Sequence, residues 1–187
     1  MSRPNIFDSR IKKSVVESLE KELSLLKVIL YRSKNQHRRT LYYKNTARVY
    51  KECTNHLNID EIGDLSEIIR RDYSTSVGKC EVHLEKLRIL IEMYAKTIDI
   101  GIVACKQHAN QLMNHYFVQY CTVCLAALSR VINCLTHITL ALYSLFNYIR
   151  KMEGIGEQFQ LKNEALETVE AMKKLSNKAT PMELTRP

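Results

Sequence analysis

The chain has 187 residues, of which 45% are hydrophobic, so its size and composition fit one domain with a buried core. The three prolines, Pro4, Pro181 and Pro187, all lie near the ends, which excludes a turn-rich β fold and favours long uninterrupted helices. The net charge of +8 favours an anionic partner over a neutral or cationic one.

The first predicted element follows a loose polar leader at residues 1–8. Because Met1–Arg10 is polar and charged, it does not resemble a secretory signal, and the six cysteines are expected to be reduced thiols in a nuclear or cytoplasmic protein. A helix is predicted over Ser9–Leu30, since its apolar residues recur at steps of three and four. These residues are Val16, Leu19, Leu23, Leu26 and Leu30.

Three more long helices are predicted along the chain by the same periodicity. The second covers Thr40–Leu57, after a polar and basic junction, and the connector Asn58–Gly78 includes one short helix near Glu61–Arg71. The third covers Lys79–His108. The fourth covers Tyr116–Met152, has the longest apolar stripe, and is ended by glycines just after it.

Together these elements predict an all-α fold, an antiparallel bundle of about four long helices. The bundle is expected at residues 9–153, with a basic corner at 31–51, and residues 154–187 are expected to be a polar tail, partly helical or disordered. A weak helix is expected near Leu161–Leu175. The predicted core residues are Leu19, Leu23, Leu26, Leu87, Ile91, Leu125, Leu128, Ile132, Leu135 and Leu142.

The stretch from Phe117 to Ile149 is apolar enough to raise a transmembrane interpretation. Arg130 lies near its middle, and a charge at the bilayer centre costs a few kcal/mol, so a central bundle helix is the favoured interpretation. We expect Arg130 to point to the edge of the bundle; the alternative is a buried ion pair with Glu92 or Asp99 of the third helix.

The motif Cys121-x-x-Cys124 raises a metal or redox interpretation, with Cys105, His108 and His115 nearby in sequence. Both cysteines fall inside an apolar helix and no second such pair exists, so buried thiols are the favoured interpretation. No metal and no cofactor are expected.

No group of residues indicates catalysis. The chain has no glycine-rich phosphate loop and no metalloprotease motif. His37 is the one candidate general base, but its neighbours Arg38 and Arg39 provide no orienting carboxylate. We therefore expect a non-enzymatic protein without a small-molecule substrate.

The excess charge is confined to one segment. Between Leu23 and Lys51 the chain has eight Lys and Arg residues and no Asp or Glu, and the other 20 basic residues balance the 20 acidic ones. Such cations bind phosphates, while interleaved tyrosines stack on unpaired bases; the tyrosines concerned are Tyr31, Tyr42, Tyr43 and Tyr50. A solvated basic face, with tyrosines packed at the rim of the bundle, is the alternative. The predicted RNA contacts are Arg32, Lys34, Asn35, Gln36, His37, Arg38, Arg39, Tyr42, Tyr43, Lys44 and Arg48.

The same segment carries a family resemblance. The leucine-rich run Leu25–Leu30, the corner Lys34-Asn35-Gln36-His37 and the aromatic and basic residues after it resemble the N-terminal signature of the fungal RNase MRP-specific protein subunit. That family overlaps the amino-terminal domain of the animal nucleolus and neural progenitor protein. The resemblance extends from about Val16 to Ile149, and its corner is the specific part.

The resemblance implies a non-catalytic subunit of a ribonucleoprotein in which RNA performs the cleavage. It implies ribosomal RNA precursor processing in the nucleolus of the nucleus, with RNase MRP RNA and other protein subunits as partners and without a membrane. The residues Lys34–Arg39 then become the expected RNA contacts. A helical scaffold whose basic face binds an acidic protein is the alternative.

Overall fold

The computed structural model describes residues 13–56, 77–152 and 160–178, and these residues contain helices and no strands. The described residues form five helices: α1 (Lys13–His37), α2 (Leu41–His56), α3 (Val77–Met113), α4 (Val118–Met152) and α5 (Asn163–Lys178). The all-α prediction is therefore confirmed. The predicted short helix near Glu61–Arg71 lies outside the described residues.

Helix α1 is longer than the sequence pattern predicted. It continues through the basic junction and ends at His37 rather than at Leu30, because Arg32–Gln36 contains neither proline nor glycine to stop it. A tight turn follows, in which the Thr40 backbone N–H and hydroxyl both donate to the His37 carbonyl, at 2.8 and 2.7 Å. The chain therefore changes direction at residues 38–40, with Arg38 and Arg39 in the turn.

Helices α3 and α4 pack closely along their length. A Cβ atom added at Gly101 of α3 would lie 2.9 Å from Cγ1 of Ile132 on α4 and 3.8 Å from Cγ2 of Val49 on α2. The missing side chain therefore lets three helices approach each other at this point. Packing to this distance leaves no space for an additional methyl group.

The core was largely predicted from the apolar stripes. Eight of the ten predicted core residues are buried, whereas Leu125 and Ile132 are half-buried. The largest fully buried side chains include Tyr94 of α3 and Phe146 of α4. The stripes identified the correct faces because residues three and four apart share one side of a helix.

Helix α5 belongs to the same core. Leu161 before it, and Ala165, Val169 and Met172 within it, are buried, and the helix contacts both α3 and α4. The weak helix expected near Leu161–Leu175 is therefore present, and it is packed against the other helices.

Helix α4 is also long and apolar enough to cross a membrane by composition, a property that buried core helices share. In this structure its apolar face packs against α1 and α3. Its central cation, Arg130, is exposed and donates to Glu22 of α1 at 2.7 Å. The edge position of Arg130 is thus as predicted, while the alternative partners Glu92 and Asp99 are not used.

Candidate nucleic-acid interface

Two turns meet at one end of the molecule. The α1–α2 turn (38–40) lies beside the α3–α4 turn (114–117), because the His37 ring packs edge-on against Phe117, with ring centroids 4.6 Å apart. On the next helical turn, Asn45 of α2 donates to Gln107 of α3 at 3.0 Å. We call this region, formed by the second half of α1, the first half of α2 and the two turns, the corner end.

His37 and Tyr42 are buried inside the corner end, with 1% and 7% of their surface exposed. The Tyr42 hydroxyl lies 2.9 Å from His37 Nδ1, and the His37 ring stacks on Tyr120 with centroids 4.3 Å apart. Both residues were predicted to contact RNA, and their burial contradicts that prediction. Their rings pack against other rings and so hold the two turns together. We therefore assign these residues a role in positioning the corner rather than in direct ligand contact.

A second buried histidine supports the same cluster. His108 of α3 is fully buried, its Nε2 lies 3.0 Å from the Thr46 hydroxyl, and Thr46 donates to the Tyr42 carbonyl at 2.9 Å. Thr46 therefore accepts from Nε2–H, which leaves Nδ1 of His108 buried without a hydrogen-bond partner. Burial, and the nearby His37, lower the pKa of His108 to about 4; burial also lowers the pKa of His37. Both rings are thus neutral at pH 7.

Tyr120 completes the cluster from the first turns of α4. Its ring contacts those of His37, Tyr42 and His108, while its buried hydroxyl has no hydrogen-bond partner of good geometry. Burial is the main reason that the pKa of Tyr120 is raised. The cluster is therefore an uncharged, aromatic support beneath the basic turn.

The cations of the corner lie on the outside. Arg32, Lys34, Arg38, Arg39 and Lys44 are exposed, and none of them forms an ion pair with any carboxylate among residues 13–56, 77–152 and 160–178. Asn35 and Gln36 are exposed beside them. Arg48 differs, because its Nε lies 3.9 Å from Glu52 Oε1.

The predicted stacking tyrosines have different environments. Tyr43 is half-buried and its hydroxyl donates to the Leu30 carbonyl at 3.1 Å, which ties α2 to α1. Tyr50 is half-buried against the core. Tyr31 is 82% exposed. The rim-packing interpretation therefore fits Tyr43 and Tyr50. Among the tyrosines that were predicted to stack on bases, only Tyr31 is mostly exposed to solvent.

The tertiary structure extends the acid-free region beyond α1 and α2. The sequence from Ile100 to Met152 also contains no Asp or Glu, and its part from Lys106 to Tyr120 packs against the corner through Gln107, His108, Phe117 and Tyr120. The corner end is thus assembled from two acid-free segments. Its positive potential is consequently not offset by carboxylates within these two segments.

The cysteines that the structure describes are free thiols, most of them buried. In the parts of the chain that the structure describes, no group of three or more His, Cys, Asp and Glu side chains could hold a metal ion. Cys121 and Cys124 are buried, and burial raises the pKa of both thiols, that of Cys124 to about 11. Such thiols are protonated at neutral pH and pack as small apolar groups.

No family model, curated protein or solved structure matches this chain. The geometry of the corner end is therefore the basis for a functional proposal.

Four residues of this site were not predicted from sequence: His108, Tyr116, Phe117 and Tyr120. A signal was present, because His115, Tyr116, Phe117 and Tyr120 concentrate rings at the point where the fourth predicted helix begins. Which junction they would face depended on how the helices pack, and the sequence pattern did not contain that information.

Proposed function

We propose that the protein is a non-catalytic RNA-binding subunit of a ribonucleoprotein and that its corner end contacts structured RNA. The observation that carries the proposal is the acid-free corner, where Arg38 and Arg39 are exposed in a tight turn and have no carboxylate partner in the described chain. Exposed, unpaired cations on a rigid support bind phosphates with release of counterions.

The direct contacts in this proposal are nine of the eleven residues predicted from sequence. Arg32, Lys34, Arg38, Arg39 and Lys44 neutralise phosphates, with Arg48 at the margin because it pairs with Glu52. Asn35 and Gln36 provide short-range donors and acceptors for sugar or base edges. Tyr43 lies at the rim of the proposed interface with its ring half-exposed. The buried His37 and Tyr42 support the basic turn and are not among the direct contacts.

The finer architecture forms part of the proposal. We propose that α1 to α4 form an antiparallel bundle, since the end of α1, the start of α2, the end of α3 and the start of α4 all contribute to the His37 cluster. Such a bundle would place four helix ends around one convex surface. That shape suits entry into an RNA groove or junction.

For the identity of the particle, we propose RNase MRP, because Lys34–Arg39 and the preceding leucine-rich helix resemble the RNase MRP-specific subunit family. On this proposal the partner is RNase MRP RNA with its other protein subunits, the process is ribosomal RNA precursor maturation, and the location is the nucleolus, without a membrane. Purifying the tagged protein and sequencing the RNA that accompanies it tests this directly. Enrichment of an unrelated RNA class would reject the MRP assignment while retaining RNA binding.

The interface itself is tested by a charge-removal pair. The double variant Arg38→Ala/Arg39→Ala should bind structured RNA more weakly, and its salt slope should fall by about one to two units, one per lost phosphate contact. The matched control is Lys86→Ala/Lys96→Ala, which removes two exposed cations of α3 outside the corner end. Both variants should fold, because exposed charges contribute little to stability.

A protein-interaction scaffold is the second candidate function. The observation in its favour is a half-exposed stripe on α1, formed by Leu25 and Val28 and followed by the exposed Tyr31. If Arg38→Ala/Arg39→Ala is folded and binds RNA with unchanged affinity and salt slope, the scaffold becomes the leading function.

A further inference from the structure

We infer that the α3–α4 turn is a second part of the RNA interface, in which the Tyr116 ring stacks on an unpaired base. The inference rests on the proposed function and specifies its ligand: RNA in which at least one unpaired nucleotide adjoins a duplex. It adds a residue that lies outside the basic segment and outside the resemblance motif.

The backbone holds Tyr116 in a defined position. His115 has a φ of 58° and Phe117 a φ of 48°, so both neighbours of Tyr116 adopt the left-handed conformation that non-glycine residues rarely take. The Tyr116 N–H donates to the Gln111 carbonyl at 2.9 Å and the His115 N–H donates to the Leu112 carbonyl at 3.0 Å. These two bonds form a Schellman cap on α3 with His115 at the position that glycine usually occupies. Unfavourable backbone conformations of this kind persist where the surroundings enforce them, often at binding sites.

The turn exposes large apolar side chains. Tyr116 is 60% exposed, Phe117 48% and Met113 78%. Leu41, which begins α2 at the same corner end, is 64% exposed. Several large apolar side chains exposed in and near one turn are typical of interaction sites rather than of an inert surface.

The neighbouring charge determines which partner this surface fits. Phe117 contacts His37, and Arg38 and Arg39 follow directly in the chain, so Tyr116 and the two arginines flank one contact. No carboxylate is present in either chain segment of the corner end. An exposed aromatic ring on one turn, and on the adjoining turn two exposed arginines without a carboxylate partner among the described residues, match a nucleotide, whose base stacks while its phosphate pairs with arginine. A purely apolar protein partner would not require this density of positive charge.

Duplex RNA offers no base face for stacking, because its bases are already stacked on each other. Single-stranded loops and bulges present unstacked bases that aromatic side chains can receive. The arginines can bind the backbone of either form. Discrimination between paired and bulged RNA is therefore expected to depend on Tyr116, and overall affinity on the arginines.

The test compares one RNA hairpin in two forms, fully paired and with a single unpaired 2-aminopurine. The full-length protein should bind the bulged hairpin more tightly and should quench the 2-aminopurine fluorescence. Tyr116→Ala should lose about tenfold in affinity for the bulged hairpin, together with the quenching, and should bind the paired hairpin as before. Tyr116→Phe retains the ring and should behave like the parent. Leu175→Ala, which truncates an exposed apolar side chain of α5, is the matched control.

The outcomes separate this inference from the proposed function. If Tyr116→Ala binds both hairpins like the parent while Arg38→Ala/Arg39→Ala weakens both, the stacking inference is overturned and RNA binding at the corner stands. Equal weakening of both hairpins by Tyr116→Ala also overturns it, since the contact would then not read an unpaired base. If the parent protein binds neither hairpin, the proposed function fails and this inference fails with it, leaving the apolar turn as a protein-contact surface.

Discussion

Arginine side chains have opposite surroundings at the two ends of the molecule. Near α5, Arg88 of α3 donates through Nη1 to Glu92 at 2.9 Å and through Nε to Glu85 at 2.8 Å, and Lys162 Nζ lies 3.4 Å from Glu92. We call this group the paired end. At the corner end, Arg38 and Arg39 have no carboxylate among the described residues.

The contrast distinguishes Arg88, which is bonded to carboxylates, from Arg38 and Arg39, to which the proposed function assigns RNA contact. Glu85 and Glu92 already satisfy the guanidinium of Arg88, so a phosphate would have to displace them. Arg38 and Arg39 are exposed and have no carboxylate partner among residues 13–56, 77–152 and 160–178, so a phosphate can bind them without displacing a described carboxylate. Arg130, exposed but bonded to Glu22, resembles Arg88 in having a carboxylate partner. Exposure by itself therefore does not mark an arginine as free of a partner; the proposed function assigns RNA contact to exposed arginines that have no carboxylate partner among the described residues.

The largest effect is expected where both ends share one core. Leu128 of α4 is fully buried, so Leu128→Asp would bury an uncompensated charge and should cost more than about 3 kcal/mol of unfolding free energy. Amide hydrogen exchange should accelerate in both α2 and α5, because one cooperative unit opens as a whole. Ala126→Asp, at an exposed position two residues earlier, is the control. Loss of protection at one end only would show that the two ends are independent units.

As the pH falls, the contribution of the corner end to the unfolding free energy should be lost before that of the paired end. The pKa of His108 is lowered to about 4 by burial, so its contribution is fully present above pH 6.5 and is lost as the pH falls towards 4, about 3 kcal/mol in all. His37 acts in the same direction, since burial lowers its pKa too. At the paired end, the hydrogen bond from Arg88 lowers the pKa of Glu85, so that contribution is lost only below about pH 4.5, the ordinary value for Glu.

Chemical denaturation across this pH range measures the difference. His108→Gln keeps a side-chain donor near Thr46 but cannot titrate, so its stability should depend less steeply on pH between 6.5 and 4.5 than that of the parent. An identical slope in the two proteins would mean that His108 is not held neutral by burial.

Charge removal should affect the two ends differently. Arg88→Ala should lower the unfolding free energy by about 1 kcal/mol, because it leaves Glu92, whose side chain is 14% exposed, without that partner. Arg38→Ala should change stability by less than about 0.5 kcal/mol. For RNA affinity the order should reverse, with Arg88→Ala neutral. An equal loss of unfolding free energy in Arg38→Ala and Arg88→Ala would show that the two arginines do not differ in their contribution to stability.

The smallest effect is expected at the α3–α4 turn. His115→Gly should raise the unfolding free energy by about 0.5 kcal/mol, because glycine adopts the left-handed conformation without a Cβ penalty, partly offset by the greater freedom of the unfolded chain. Asn114→Gly, one residue earlier and without a positive φ, should lower it. Thermal melting of both variants provides the comparison, and a destabilised His115→Gly would mean that the side chain contributes more than the backbone costs.

The helices and the core could be predicted largely from sequence, because both follow from local periodicity. The step of three and four in α4 identified Leu128, Leu135 and Leu142 as core positions, and all three are buried. Helix ends were less accurate: α1 continues seven residues beyond Leu30, since polar residues without proline or glycine do not stop a helix.

The candidate site was predictable in its charge and not in its geometry. The sequence determined that the excess of cations lies in the segment from Leu23 to Lys51, because charge is a property of composition. Only the tertiary structure decided that His37 and Tyr42, which belong to that segment, are buried, and that Tyr116 and Phe117 lie beside it. Contacts between residues 37 and 117 depend on how amphipathic helices pair, and that pairing follows from the packing of whole helix faces rather than from any local motif.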